Sequence, residues 1–255
     1  MTASRQQPGQ CRIVVGLKAA SDVESPVSAA AILASALQAE VVGLYIEEDA
    51  MMDLAGLPFA CALSAGASRP QALTPELMKQ AISRGAVTCR QTLSARAETS
   101  QVKWSFSYKR GDAFETIQAS LATGDFLVVP SQRRGFDAHD VMDELRSIPR
   151  HARGVVVAGK QQGAKPKGPV IAIDDGDATG NSTVLLAACI AKATRARLML
   201  FAIASNDREA DRIIHRAHET IGPAAELEVH RFFPGATRSM LAGLMHVTPS
   251  FVVAD

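Results

Sequence analysis

The chain writes one strand–helix–strand pattern twice, so any fold it adopts must accommodate two similar α/β units. Arg12 to Leu17 (RIVVGL) leads through an Ala-rich stretch to AEVVGLYIEE from Ala39. Pro169 to Ile173 (PVIAI) leads through a second Ala-rich stretch to ARLMLFAIAS from Ala196. Further on, YKRGDAFETIQASL and DFLVVPS are echoed by FFPGATRSMLAGL and SFVVAD. This period is far longer than that of a solenoid, so each copy should be a small unit with its own core. Val14 aligns with Ile171 and Val42 with Met199, 157 residues apart in both cases. Gly111 aligns with Gly235 and Phe126 with Phe251, 124 and 125 apart. The first copy therefore carries about 33 extra residues between Tyr45 and Arg110, and Ala50 to about Gln80 is where they fall.

The local patterns fill in the units. IVVGL is short, continuously apolar and β-branched, as suits a parallel strand covered on both faces. Ser25-Pro26 reads as a helix cap followed by Pro in the first turn. The helix SAAAILASALQ and the strand VVGLYIE complete a βαβ motif with a right-handed crossover. In DAMMDLAGLPFACALSAGASRPQAL, residues Met51, Met52, Leu54, Leu57, Phe59 and Leu63 fit a short amphipathic helix and a turn. This excursion either packs on its own unit or serves as a lid or a docking surface for a protein partner. Thr74-Pro75 opens a helix to about Glu98, and VKWSFSYKRG is the third strand. The helix AFETIQASLA, the strand FLVVP, a helix over 138–151 and the strand GVVVAG follow. KQQGAKPKG, from Lys160, is a polar linker. The second copy repeats the strands VIAID, RLMLFAIA, LEVHRFF and FVVAD with helices between them, and it ends after its fourth strand. The expected fold class is α/β, with two tandem open parallel-sheet domains of Rossmann-like type. These span 11–159, with an insertion at about 50–80, and a shortened 168–255, joined by a linker at 160–167.

Composition narrows the function. The 255 residues are 47% hydrophobic and 21% charged with a net charge of +1. That balance gives no electrostatic case for nucleic acid or an anionic membrane. No apolar run approaches the roughly 20 residues of a membrane span. MTASRQQPGQC lacks the apolar core of a secretory leader, so a cytoplasmic protein is expected. The four cysteines form no CxxC motif; Cys89 and Cys189 fall in helical patterns and should be buried, while Cys11 and Cys61 are not placed. His215 and His218 share a helix face without a third ligand, so no metal is assigned. No GxSxG, HExxH, Walker loop or GxGxxG is present, and no catalytic residue is named.

In the order of these segments the chain resembles the universal stress protein family in its tandem form. The residues that carry the likeness are VIAIDDGD (Val170 to Asp177), the Ala-rich helices, ARLMLFAI, the turns at Arg110 and Pro234 that open helices, and DFLVVPS leading to RHARGVVVAG (Arg150 to Gly159). The resemblance implies β-α-β-α-β-α-β-α-β units that pair through their last strands. It also implies an ATP or AMP site, with an Asp after the first strand near the nucleoside and a G-x2-G-x9-G-[ST] loop after the fourth strand holding the phosphates. Glycines there let backbone N–H groups approach phosphate oxygens. Here the first copy has Leu17-Lys18 in place of that Asp, and PSQRRGFDAHD carries Gly135 alone. The second copy has Asp174, extended by Asp175, Gly176 and Asp177, and the chain ends at Asp255 before such a loop.

Three expectations follow. The first is a non-enzymatic regulatory protein with a degenerate ATP site, acting through protein contacts or small-ligand sensing. The second is a nucleotide-binding member with a non-standard site that uses Asp174, Asp175 and Gly176 together with Ser131, Arg133, Arg134 and Gly135. The third is a nucleotide hydrolase. Asp174 and Asp175 also read more plainly as a polar turn that caps the next helix. The missing fifth strand of the second unit should leave an open edge, so a homodimer is expected, with a second chain or the 50–80 excursion covering it.

Overall fold

Continuously apolar strands need cover on both faces, and they lie at the middle of one large sheet. The computed structural model describes residues 11–18, 22–62, 70–130, 152–159, 168–177, 180–222, 226–233 and 249–254. The first half forms β1 (Arg12–Lys18), α1 (Glu24–Leu37), β2 (Glu40–Glu47), α2 (Asp49–Ala55), β3 (Cys61–Ala62), β4 (Gln71–Ala72), α3 (Pro75–Thr99), β5 (Trp104–Arg110), α4 (Ala113–Ser120), β6 (Phe126–Pro130) and β7 (Gly154–Ala158). The second half forms β8 (Val170–Asp174), α5 (Gly180–Thr194), β9 (Leu198–Ile203), α6 (Asp207–Ile221), β10 (Leu227–Phe232) and β11 (Phe251–Ala254).

Nine strands make one sheet in the order β10-β9-β8-β11-β7-β6-β1-β2-β5, and β3 pairs only with β4. Val14 pairs with Val42 and Leu127, and Ile171 pairs with Met199 and Val252. These are the positions that the sequence repeat aligns, so both halves use one register. The two expected sheets are joined, because β7 and β11 pair antiparallel, Phe251 opposite Ala158 and Ala254 opposite Val155. The second unit's fourth strand is therefore not an open edge, since β7 covers it. Among the described residues the edge strands of the sheet are β5 and β10.

On one face α1, α3, α5 and α6 bury Val27, Leu33, Ile82, Leu93, Leu186, Ile190 and Ile213 against Ile13, Val15, Val128, Val156, Ala172 and Val253. On the other face α4 places Ala113 and Ile117 with Val14, Leu127, Val157, Ile171 and Val252. The Ala-rich composition of the first helices has a physical reason. Ala29, Ala30 and Ala34 are fully buried, and α1 packs on α5. Short side chains let the two helices share the middle of that face where the halves meet.

Helix starts follow capping chemistry, with one correction. α1 begins at Glu24, ahead of Ser25, with Val23 as its N-cap and Asp22 just before it holding the first residues. The Asp22 carboxylate accepts from the Glu24 N–H at 3.2 Å and from the Ser25 hydroxyl at 2.8 Å. Pro26 then sits in the first turn, where a missing N–H costs nothing. Thr74 caps α3 by accepting from the Leu77 N–H at 3.3 Å, with Pro75 as its first residue. Cys89 is buried, which pushes its thiol up to about 11, whereas Cys11 and Cys189 are half-buried and Cys61 is exposed. The helices expected over 138–151 and after Pro234, and the 160–167 linker, lie outside the described residues.

Candidate functional site

Open α/β sheets bind ligands beyond the carboxyl ends of their strands, at the point where strand order reverses. In the second half that end of β8 is Asp174, which is 0% exposed. Its Oδ1 accepts the Gly176 N–H at 2.8 Å, a side-chain-to-backbone turn that Gly176 permits with its φ of 89°. Arg216, reaching over from α6, donates from Nη2 to Asp174 Oδ1 at 2.7 Å and Oδ2 at 2.9 Å. Its Nη1 donates to the Asp177 carbonyl at 2.9 Å. Gly180, the first residue of α5, closes the third side: a Cβ there would lie 2.3 Å from Asp174 Oδ1 and 2.5 Å from Arg216 Nη2. Only glycine fits without moving the pair.

The carboxylate is therefore engaged on both oxygens by a guanidinium that keeps its charge at any physiological pH. A charge-assisted contact of this kind is strong, and breaking it would strand a buried anion. Arg216 Nε and Thr183 Oγ1 are buried near this turn without a protein partner among the described residues. Asp175 is exposed, and its Oδ1 accepts the Asp177 N–H at 3.1 Å. The two aspartates thus hold their own turn. The expected capping of the following helix is taken over by a backbone contact, Gly180 N–H to the Asp177 carbonyl at 3.2 Å.

In the first half the 157-residue offset puts the buried Leu17 where the second half has Asp174, and β1 ends one residue later at Lys18, whose Nζ donates to Glu48 Oε1 at 3.0 Å. Ser131, Arg133, Arg134 and Gly135 lie outside the described residues, so nothing here brings them to Asp174. A hollow of about 710 Å³ bordered by Lys192, Arg197 and Glu228 sits at the amino-terminal ends of β9 and β10, away from the strands' carboxyl ends. His215 and His218 are exposed on α6, His215 beside Glu219 at 3.4 Å. No group of three metal-ligating side chains occurs among the described residues.

Sequence reasoning missed Arg216 and Gly180. Arg216 carried a usable signal: it sits next to the apolar stripe Ala210, Ile213, Ala217 of α6, all three buried. A cation on the inward side of an amphipathic helix needs a buried counter-charge. Gly180 carried none, since its role depends on two residues that only folding brings to it.

No protein-family model and no curated protein matches the chain. Solved structures similar to it include two that match over nearly the whole chain. One is a universal stress protein from Archaeoglobus fulgidus, 15% identical over 95% of each chain with a TM-score of 0.48. The other is the cytoplasmic domain of a prokaryotic cation chloride cotransporter, 14% identical over 96% of this chain and 95% of that one, also with a TM-score of 0.48. Likenesses of this size carry no function, and the fold rests on the strand order and register above. No helix among the described residues is long and apolar enough to cross a membrane.

Proposed function

We propose that the chain is a tandem universal-stress-protein-like regulatory protein, with units at 11–159 and 168–255, whose nucleotide site is closed from within. One observation carries this reading: the Arg216 guanidinium lies on both oxygens of the wholly buried Asp174. Where the family resemblance would put a nucleoside, this chain puts its own side chain. A ligand at Asp174 would have to displace a buried ion pair and leave buried charge behind, a cost of several kcal/mol. The expected ATP or AMP site near Asp174, with phosphates toward Arg133 and Arg134, gains no support from this geometry. A hydrolase gains none either, because no nucleophile, base and anion-stabilising set converges among the described residues.

Regulation without catalysis works through contacts. The surface offered is the excursion after β2, where Leu54, Leu57 and Phe59 are exposed, Phe59 at 77%. Thermal unfolding in the presence of ATP and of AMP tests the reading. Millimolar nucleotide should leave Tm unchanged in the wild type. A nucleotide-dependent rise that disappears in Asp174→Ala would overturn it.

A further inference from the structure

The two open edges of the sheet are defended unequally. Along β10, Glu228 is held by Arg197 at 3.4 Å and His230 at 3.1 Å, and Arg231 by Asp211 at 2.7 Å. Charged side chains along an edge keep other strands away. β5 reads WSFSYKR, with its charges only at the carboxyl end: Lys109 donates to the Ser120 hydroxyl at 2.9 Å and Arg110 pairs with Asp49 at 2.6 Å.

The backbone of β5 shows which groups face outward. The Val41 N–H donates to the Lys103 carbonyl at 2.9 Å, and the Gly111 N–H donates to the Glu47 carbonyl at 3.0 Å. Backbone groups alternate sides along a strand. Ser105, Ser107 and Lys109 therefore bond to β2, while the N–H and C=O groups of Trp104, Phe106, Tyr108 and Arg110 point to the open edge. No described element pairs with that edge.

We propose that β5 pairs antiparallel with β5 of a second copy of this chain, about a twofold axis through Ser107. An antiparallel pair related by a twofold axis keeps the same face of the sheet up, so opposed residues are an even number of positions apart. Centring on Ser107 sets Phe106 opposite Tyr108 and Trp104 opposite Arg110. Every outward N–H and C=O of the strand then finds a partner. Any other centre leaves outward groups beyond the strand end.

The side chains fit the same register. On the α3 face, aromatic Phe106 meets aromatic Tyr108, and the Arg110 guanidinium meets Trp104, both favourable cross-strand pairs. On the other face Ser107 meets Ser107 and Ser105 meets Lys109, so no like charges are opposed. A groove of about 530 Å³ between α3 and Trp104 carries Glu98 beside this edge, a carboxylate placed to complement Arg110 of the second copy. Because β10 is guarded, the pairing closes as a dimer and does not run on into a filament. This inference is independent of the regulatory reading, and it gives the expected homodimer contact a place at β5.

Light scattering and cysteine cross-linking, both in a Cys61→Ser background, test it. The unmodified surface should give twice the 27.0 kDa chain mass, and Ser107→Glu, which opposes two carboxylates at the axis, should lose the dimer. On oxidation Ser107→Cys should cross-link nearly completely, since opposed non-hydrogen-bonded residues have Cα atoms about 4.5 Å apart, within disulfide reach. Ser105→Cys, with its copies about 13 Å apart along the strands, should not cross-link. Monomeric mass at high concentration, equal cross-linking of both variants, or no cross-link in Ser107→Cys would each overturn the proposal. The cross-linking arm holds even if Ser107→Glu fails to fold.

Discussion

The ends of β1 and β8 are built differently: where the repeat has Asp174 in the second half, the first half has the buried Leu17, and its cation, Lys18, comes one residue later. Lys18 is half-exposed and meets Glu48 from the end of β2. Asp174 is sealed beneath Arg216 from α6. Opposite charges have reached the same outcome, neutralisation by the chain's own side chains. The difference lies in depth. Water still reaches the Lys18–Glu48 pair, whereas the Asp174–Arg216 pair is part of the packing between α5, α6 and β8. One strand end is a surface contact, and the other is a structural joint.

Removing the buried partner should have the largest effect. Arg216→Ala leaves the Asp174 carboxylate without its counter-charge and should cost about 3 kcal/mol in urea unfolding. Asp174→Asn should cost less, about 1–2 kcal/mol, because Arg216 is a quarter exposed and can turn to water. Equal losses in the two variants would show that the joint is not asymmetric in the way its burial implies. Next is Gly180→Ala, whose new methyl meets both members of the pair. Overpacking of this kind costs about 2 kcal/mol, and it should be largely non-additive with Arg216→Ala, since both disrupt the same contact.

These residues also mark how far the sequence could be read. The βα alternation and the 157-residue offset were legible because strand and helix periods are local, and the pairing of Val14 with Val42 and of Ile171 with Met199 follows them. Asp174 was legible as the end of a strand. Its partner was not, because Arg216 lies 42 positions away on another helix and no local spacing links them. The antiparallel join of β7 to β11 was hidden for a similar reason. A strand's own pattern says that its faces are buried, not which strand will lie along its edge.

The surface strand end should respond far more weakly. Lys18→Ala should change stability by less than about 1 kcal/mol, and the change should shrink as salt is raised. A loss as large as that of Arg216→Ala would erase the contrast between the halves. The smallest effect is spectroscopic. The chain's two tyrosines, Tyr45 and Tyr108, both belong to the first half. Burial pushes each up to about 12, with the Glu47 carboxylate adding to the shift at Tyr108. Because the folded values lie above the ordinary value near 10, their contribution to stability is complete below about pH 10 and is lost as pH rises toward 12. Tyrosinate absorbance should therefore titrate late in the wild type, and Arg216→Ala should leave the midpoint where it is so long as the protein is folded. A midpoint near 10 in the folded protein would contradict the raised values of this pair.

The central claim is that Arg216 fills the position where a nucleoside would bind, and titration calorimetry of ATP and AMP into the wild-type protein tests it most directly. The account predicts no binding heat for either nucleotide. Micromolar binding of one nucleotide per chain, abolished by Asp174→Ala, would contradict it.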